Sequence, residues 1–362
     1  MTQAKKGRIL FAFMTGFTGL VGVALPASAA DPVADFYKGK QVRFVIGYSA
    51  GGGYDVYARA VARYLGKHIP GNPAVVPQNM EGAGSRLASN WLYNVAPKDG
   101  TVIGTVGQNA PVDQALKEPG VQFDAAKIVW IGNPIVDNNI TTTWAASGLK
   151  TIDDVKTKGG MICGGTGANS PAITYPQVLN NLIGLKARII AGYPGGNDTN
   201  LAMERGELNC RGGNSWASTK ATLGDQLRDR KLNVIVQWGP EKDPAVSEYM
   251  GNDVPMITDF AKTDSDRKAV NLIIAGVGIG RPILGPPGIP AERVAALRKA
   301  FDDTMKDPEF LAESAKMKLD IAPMNGEKLH RLAAEVAASP ADVVARAQQL
   351  VELKDVSDFG KK

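Results

Sequence analysis

Histidine and cysteine are scarce in this chain. Its 362 residues include two histidines, His68 and His330, and two cysteines, Cys163 and Cys210. Neither pair has the close ligand spacing of a zinc set, so no metal and no cofactor are expected. Basic blocks are missing as well. The net charge of +5 includes Lys5, Lys6 and Arg8, and no acid precedes Asp31, which leaves +2 on the remainder. A nearly neutral chain without basic clusters has no electrostatic footprint for nucleic acid or an anionic membrane surface. Past Leu25 no apolar run is long enough to span a bilayer. Nucleotide motifs are also lacking: G-x-x-x-x-G-K-S/T occurs nowhere, and the first glycine-rich loop does not have the G-x-G-x-x-G spacing.

What is present begins with a leader. Three basic residues precede the uncharged run Ile9 to Leu25, and Ala27-Ser28-Ala29 follows it. This is the build of a secretory signal peptide cleaved after Ala29 or Ala30; a retained anchor is the alternative, but the run is short for one. More than 300 residues remain, which favours two domains. An exported chain would meet an oxidising compartment, where Cys163 and Cys210 could form a disulfide. Two buried thiols is the other reading, since sequence does not report the Cα separation.

Short apolar runs alternate with amphipathic stretches, the sign of an α/β protein with mainly parallel sheets and helices on both faces. Strands are predicted near Val42–Gly47, Ala74–Pro77, Thr101–Val106, Ile128–Ile131, Thr141–Ala145, Met161–Gly164, Ala187–Ala191, Leu208–Arg211, Val234–Trp238 and Leu272–Val277. The clearest early helix has Val56, Tyr57, Ala60, Val61, Tyr64 and Leu65 on one face and stops near Gly66 and Pro70. After the turn-rich Gly285–Pro290 the chain reads as helices, with stripes at Val294, Leu297, Phe301 and Met305, then Leu329, Leu332, Ala333 and Val336.

The first loop, Gly47-Tyr48-Ser49-Ala50-Gly51-Gly52-Gly53-Tyr54-Asp55, joins a strand to that helix. Backbone N–H groups at a helix start, with no Cβ in the way, form an anion site without any cationic side chain. Asp55 either caps the helix or touches the ligand. The same device recurs at Gly165–Pro171, where Thr166, Asn169 and Ser170 add polar groups. It recurs again at Gly192–Asp198, with Tyr193 and Gly195, and at Gly212–Trp216, with Asn214. Several such loops at the C-terminal ends of strands mark a ligand cleft. A rival reading takes Gly47-Tyr48-Ser49-Ala50-Gly51 as the G-x-S-x-G elbow of a serine hydrolase with His330 or His68 as base. Too few residues precede Ser49 for the earlier strands that such a fold needs.

In order along the chain, Gly51-Gly52-Gly53-Tyr54-Asp55-Val56-Tyr57-Ala58-Arg59, Asn79 to Ser85, Pro97 to Thr101, Gly164 to Ser170, Tyr193 to Gly196, Arg205-Gly206-Glu207-Leu208 and Gly285 to Pro290 resemble the motifs of one family. These are the periplasmic solute-binding receptors of tripartite tricarboxylate transporters, and the likeness runs from Phe36 to about Ala338. It implies a two-lobe periplasmic-binding-protein fold (type II-like): residues 30–138 with 239–362 as one lobe, 139–238 as the other. It further implies a non-enzymatic, monomeric protein that closes on a small carboxylate. Membrane subunits of a secondary transporter would then be its partners, although a ligand sensor reporting to a signalling partner would have the same fold. The expected ligand contacts are Tyr48, Ser49, Ala50, Gly51, Gly52, Gly53, Asp55, Thr166, Asn169, Ser170, Tyr193, Gly195 and Asn214. Tyr48, Tyr54 and Trp216 depart from the family pattern; they either reshape the pocket for an aromatic or longer ligand or serve as core packing.

Overall fold

The computed structural model describes residues 31–353 together with Met1, Thr2, Ala4 and Gly7. The expected leader over 1–29 otherwise lies outside the described residues. No described helix is long and apolar enough to cross a membrane.

Two sheets organise the chain. The strands are β1 (Gln41–Ile46), β2 (Ala74–Asn79), β3 (Val102–Thr105), β4 (Val129–Asn133), β5 (Asn139–Trp144), β6 (Ile162–Gly165), β7 (Arg188–Ala191), β8 (Cys210–Ser215), β9 (Leu232–Trp238), β10 (Ile283–Gly285) and β11 (Met324–Asn325). One sheet runs β11-β4-β10-β3-β1-β2 and the other β7-β6-β8-β5-β9. The α/β class is as expected, with parallel cores at β2-β1-β3 and β7-β6-β8. Strands β10 and β5 each run antiparallel to both neighbours, so the sheets are mixed.

Each parallel strand delivers the chain to a loop and then to a helix. After β1, the helix Gly53–His68 buries Tyr57, Ala60, Val61 and Leu65 against the first sheet. It stops at Ile69, which Pro70 holds in an extended conformation (φ −79°, ψ 128°). After β6, the helix Pro171–Ile183 covers the second sheet and presses on β8. A Cβ on Gly213 would lie 2.6 Å from the backbone of Pro171, so only glycine admits this approach. From Pro32 onward the described residues form one compact unit.

Two sequence expectations change. Leu272–Val277 is not a strand but part of the helix Asp264–Ile279, capped by Thr263, whose hydroxyl accepts from the Asp266 N–H. That helix is buried around most of its girth, at Val270, Leu272, Ile273, Ile274 and Val277 among others, and a short apolar run of this kind reads equally well as a buried strand. The actual strand there is β10, three residues between Pro282 and Pro286. Gly212–Ser215 is likewise strand rather than loop, because its glycines serve helix packing.

Candidate functional site

The ends of β1, β3, β6 and β8, with the helix starts after them, surround a cleft of about 620 Å³, its mouth included. Of the residues singled out in the sequence, Tyr48, Gly52, Gly53, Thr166, Ser170 and Asn214 line it.

The others have different positions. Ser49 donates its hydroxyl to Asp198 Oδ2 (2.6 Å), which ties the first loop to the helix Gly196–Glu204. Gly51, at φ +83°, gives its N–H to Asp55, and Asp55 also accepts from Arg59 and Asn79, so its carboxylate fixes the loop. Ala50 is exposed. Gly195 is the N-cap of the helix Gly196–Glu204. Tyr193 packs on an apolar cluster, as does Trp216, whose ring lies 5.7 Å from that of Tyr249. Asn169 faces a smaller neighbouring cavity, where its amide donates to Asp113 and its carbonyl accepts from Asn109 (3.0 Å). Burial pushes the Asp113 carboxyl up to about 8, against the Asn169 bond and the charge of Arg86. His68 is engaged with Asp307 (2.8 Å), and among the described residues no histidine bonds Ser49, so the hydrolase arrangement is not assembled.

The expectation of an anion site without cationic side chains is corrected, because Arg211 on β8 and Arg281 enter the cleft. Arg281 is matched: its guanidinium lies 3.5 Å from Asp137, donates to Ser218 and covers the Tyr57 ring at 4.6 Å. Arg211 is not matched. It is 8% exposed, donates to the neutral Asn200 Oδ1 (2.5 Å), and its Nε has no partner. Among the described residues it forms no ion pair. Burial, and then repulsion from Arg281, pulls it down to about 10, so it keeps its charge at neutral pH. A Cβ on Gly196 would meet its Nη2 at 2.6 Å, and one on Gly52 would meet the Gly196 nitrogen at 3.2 Å. The helix start at Gly196 therefore lies against the uncompensated guanidinium, and the first-loop helix start lies next to it.

Two tyrosines make part of the lining aromatic. The Tyr48 ring stacks on Tyr54 (4.5 Å, 26°), and Tyr54 hydrogen-bonds the Gly280 carbonyl and the Gln108 N–H. Burial raises the Tyr54 phenol to about 12, so it stays uncharged. Thr166 Oγ1, Ser170 Oγ and Gln108 Nε2 are buried without partners.

No family model matches the chain. It is 23% identical over 340 residues to the UPF0065 protein in the gbd 5′ region of Cupriavidus necator, covering 86% of this chain and 89% of that one. Among solved structures it is similar to the periplasmic binding protein BugD, at 16% identity with a TM-score of 0.65, over 87% of this chain and 96% of that one. The same score relates it to MatC of Rhodopseudomonas palustris with bound malate, at 17% identity over 86% and 99% of the two chains. The chain has the fold of periplasmic binding proteins. The likeness to these binding proteins extends over most of the chain.

Proposed function

We propose that this protein is an exported solute-binding protein that captures a small carboxylate and hands it to the membrane subunits of a secondary transporter. Arg211 carries the reading. A buried cation without a counter-ion costs several kcal/mol unless an anion joins it, at ~2–5 kcal/mol for one side of such a pair. The helix starts at Gly53 and Gly196 favour the same anion. The fold shared with periplasmic binding proteins supports the role. Residues 30–138 with 239–362, and residues 139–238, would act as lobes that close because the ligand touches both. The leader would take the chain to the periplasm.

A thermal-shift screen of the mature protein against carboxylates, sugars and uncharged amides tests this. Carboxylates alone should raise the melting midpoint. Arg211→Met should abolish that shift, an affinity loss of about a hundredfold or more. The unliganded variant should melt at or above the wild-type midpoint, since it no longer buries an unpaired charge. Carboxylate shifts that survive in Arg211→Met would remove the guanidinium from the site.

A further inference from the structure

We infer that the ligand carries a single negative charge, with the rest of it neutral and hydrogen-bonding, so that a monocarboxylate bearing a hydroxyl, keto or amide group fits this cleft better than a dicarboxylate. The inference rests on the carboxylate-capture reading and specifies its ligand class.

Arg281 already faces Asp137. Asp55 is paired with Arg59, and Asp198 is held by Ser49 in the first turn of a helix, where the dipole accommodates an acid. Arg211 alone among the charged groups lining the cleft has no counter-charge. The helix starts add only partial charge, roughly half a unit each; the one at Gly196 lies against Arg211, and the one at Gly53 lies beside Arg281, which Asp137 already matches. A second carboxylate in the cleft would be buried without a cation of its own, which is strongly unfavourable. The rest of the lining is not apolar either. Gln108 Nε2, Thr166 Oγ1 and Ser170 Oγ are buried in it with unused hydrogen-bonding capacity, which an alkyl chain would leave unmet. A neutral polar group satisfies them without bringing a charge. This preference sets the chain apart from MatC, whose bound malate is a dicarboxylate.

Matched triplets test it by titration calorimetry on the wild-type mature protein. Each contains a dicarboxylate, its mono-amide and the plain monocarboxylate of equal length, for the succinate, glutarate, adipate and suberate skeletons, plus terephthalate, p-hydroxybenzoate and benzoate. In the sets that bind, the neutral polar member should be tightest and the dicarboxylate at least about tenfold weaker. Thr166→Lys, which puts a second unmatched cation in the cleft, should bring the dicarboxylate level with the mono-amide or above it. A wild-type protein that binds dicarboxylates as tightly as their mono-amides, in an Arg211-dependent way, overturns this inference and leaves carboxylate capture standing. Absence of binding by every member, or binding unchanged in Arg211→Met, removes both.

Discussion

At the residue scale two buried ionisable groups, one in the cleft and one in the cavity beside it, behave in opposite ways. Arg211 keeps its charge, whereas Asp113 keeps its proton, because burial lifts its carboxyl to about 8. The unfolded chain releases that proton near pH 4. Between about pH 4 and 8 the folded state therefore binds more protons, and this group's contribution to stability falls as pH rises through the window. Asp113→Asn keeps an acceptor for the Asn169 amide and never ionises. Urea unfolding should show the variant more stable than wild type at pH 8, with the gap shrinking toward pH 5. A gap that is constant with pH would mean that Asp113 is ionised throughout. Neither group stood out in the sequence. A lone arginine beside Gly212 reads as a solvated strand residue, and an aspartate in a short helix as a solvated face; only the three-dimensional enclosure gives each its role.

At the element scale the loops were the legible part. Glycine-rich turns before helices are visible because backbone geometry restricts which residues can stand there, and the helix starts at Gly53, Pro171 and Gly196 follow such turns. Strand content was harder where glycine served packing: Gly212 and Gly213 look like a turn until the helix Pro171–Ile183 is seen lying on them. The helix Asp264–Ile279 was misread for the opposite reason, being too uniformly apolar to show its period. Across β6 and β8, Cys163 and Cys210 stand opposite one another and are joined as a disulfide. Closing a chain separation of 47 residues is worth about 4 kcal/mol on loop entropy. The bond sits one residue before Arg211. Replacing both cysteines by serine should lower urea-unfolding stability by a comparable amount and weaken carboxylate binding several-fold, because β8 positions the guanidinium. Unchanged affinity in a destabilised variant would show that β8 holds its place without the bond.

At the scale of the whole molecule the two sheets are held together across the cleft. Ser49 bonds Asp198, Asn109 bonds Asn169, and the loop of Ala83 and Gly84 touches Gly167. These contacts join the two sides of the cleft, and a ligand that bridges both sides would favour an arrangement that keeps them. A Cβ on Gly167 would meet the backbone of Ala83 and Gly84 at 2.5 Å, where no flexible side chain can yield. Gly167→Ala should fold normally by circular dichroism yet bind carboxylates at least about tenfold more weakly. Small-angle scattering should show wild type contracting on ligand addition and the variant failing to do so; contraction of both would place closure elsewhere. The cysteine bridge beside Arg211 has a consequence for where capture takes place. Thiols stay reduced in the cytosol and pair outside it, so a newly made chain awaiting export would carry its anchoring strand unfastened. On the proposed role, oxidation after export would fasten that strand, so that carboxylate capture would begin outside the cytosol and spare the cell's own pool.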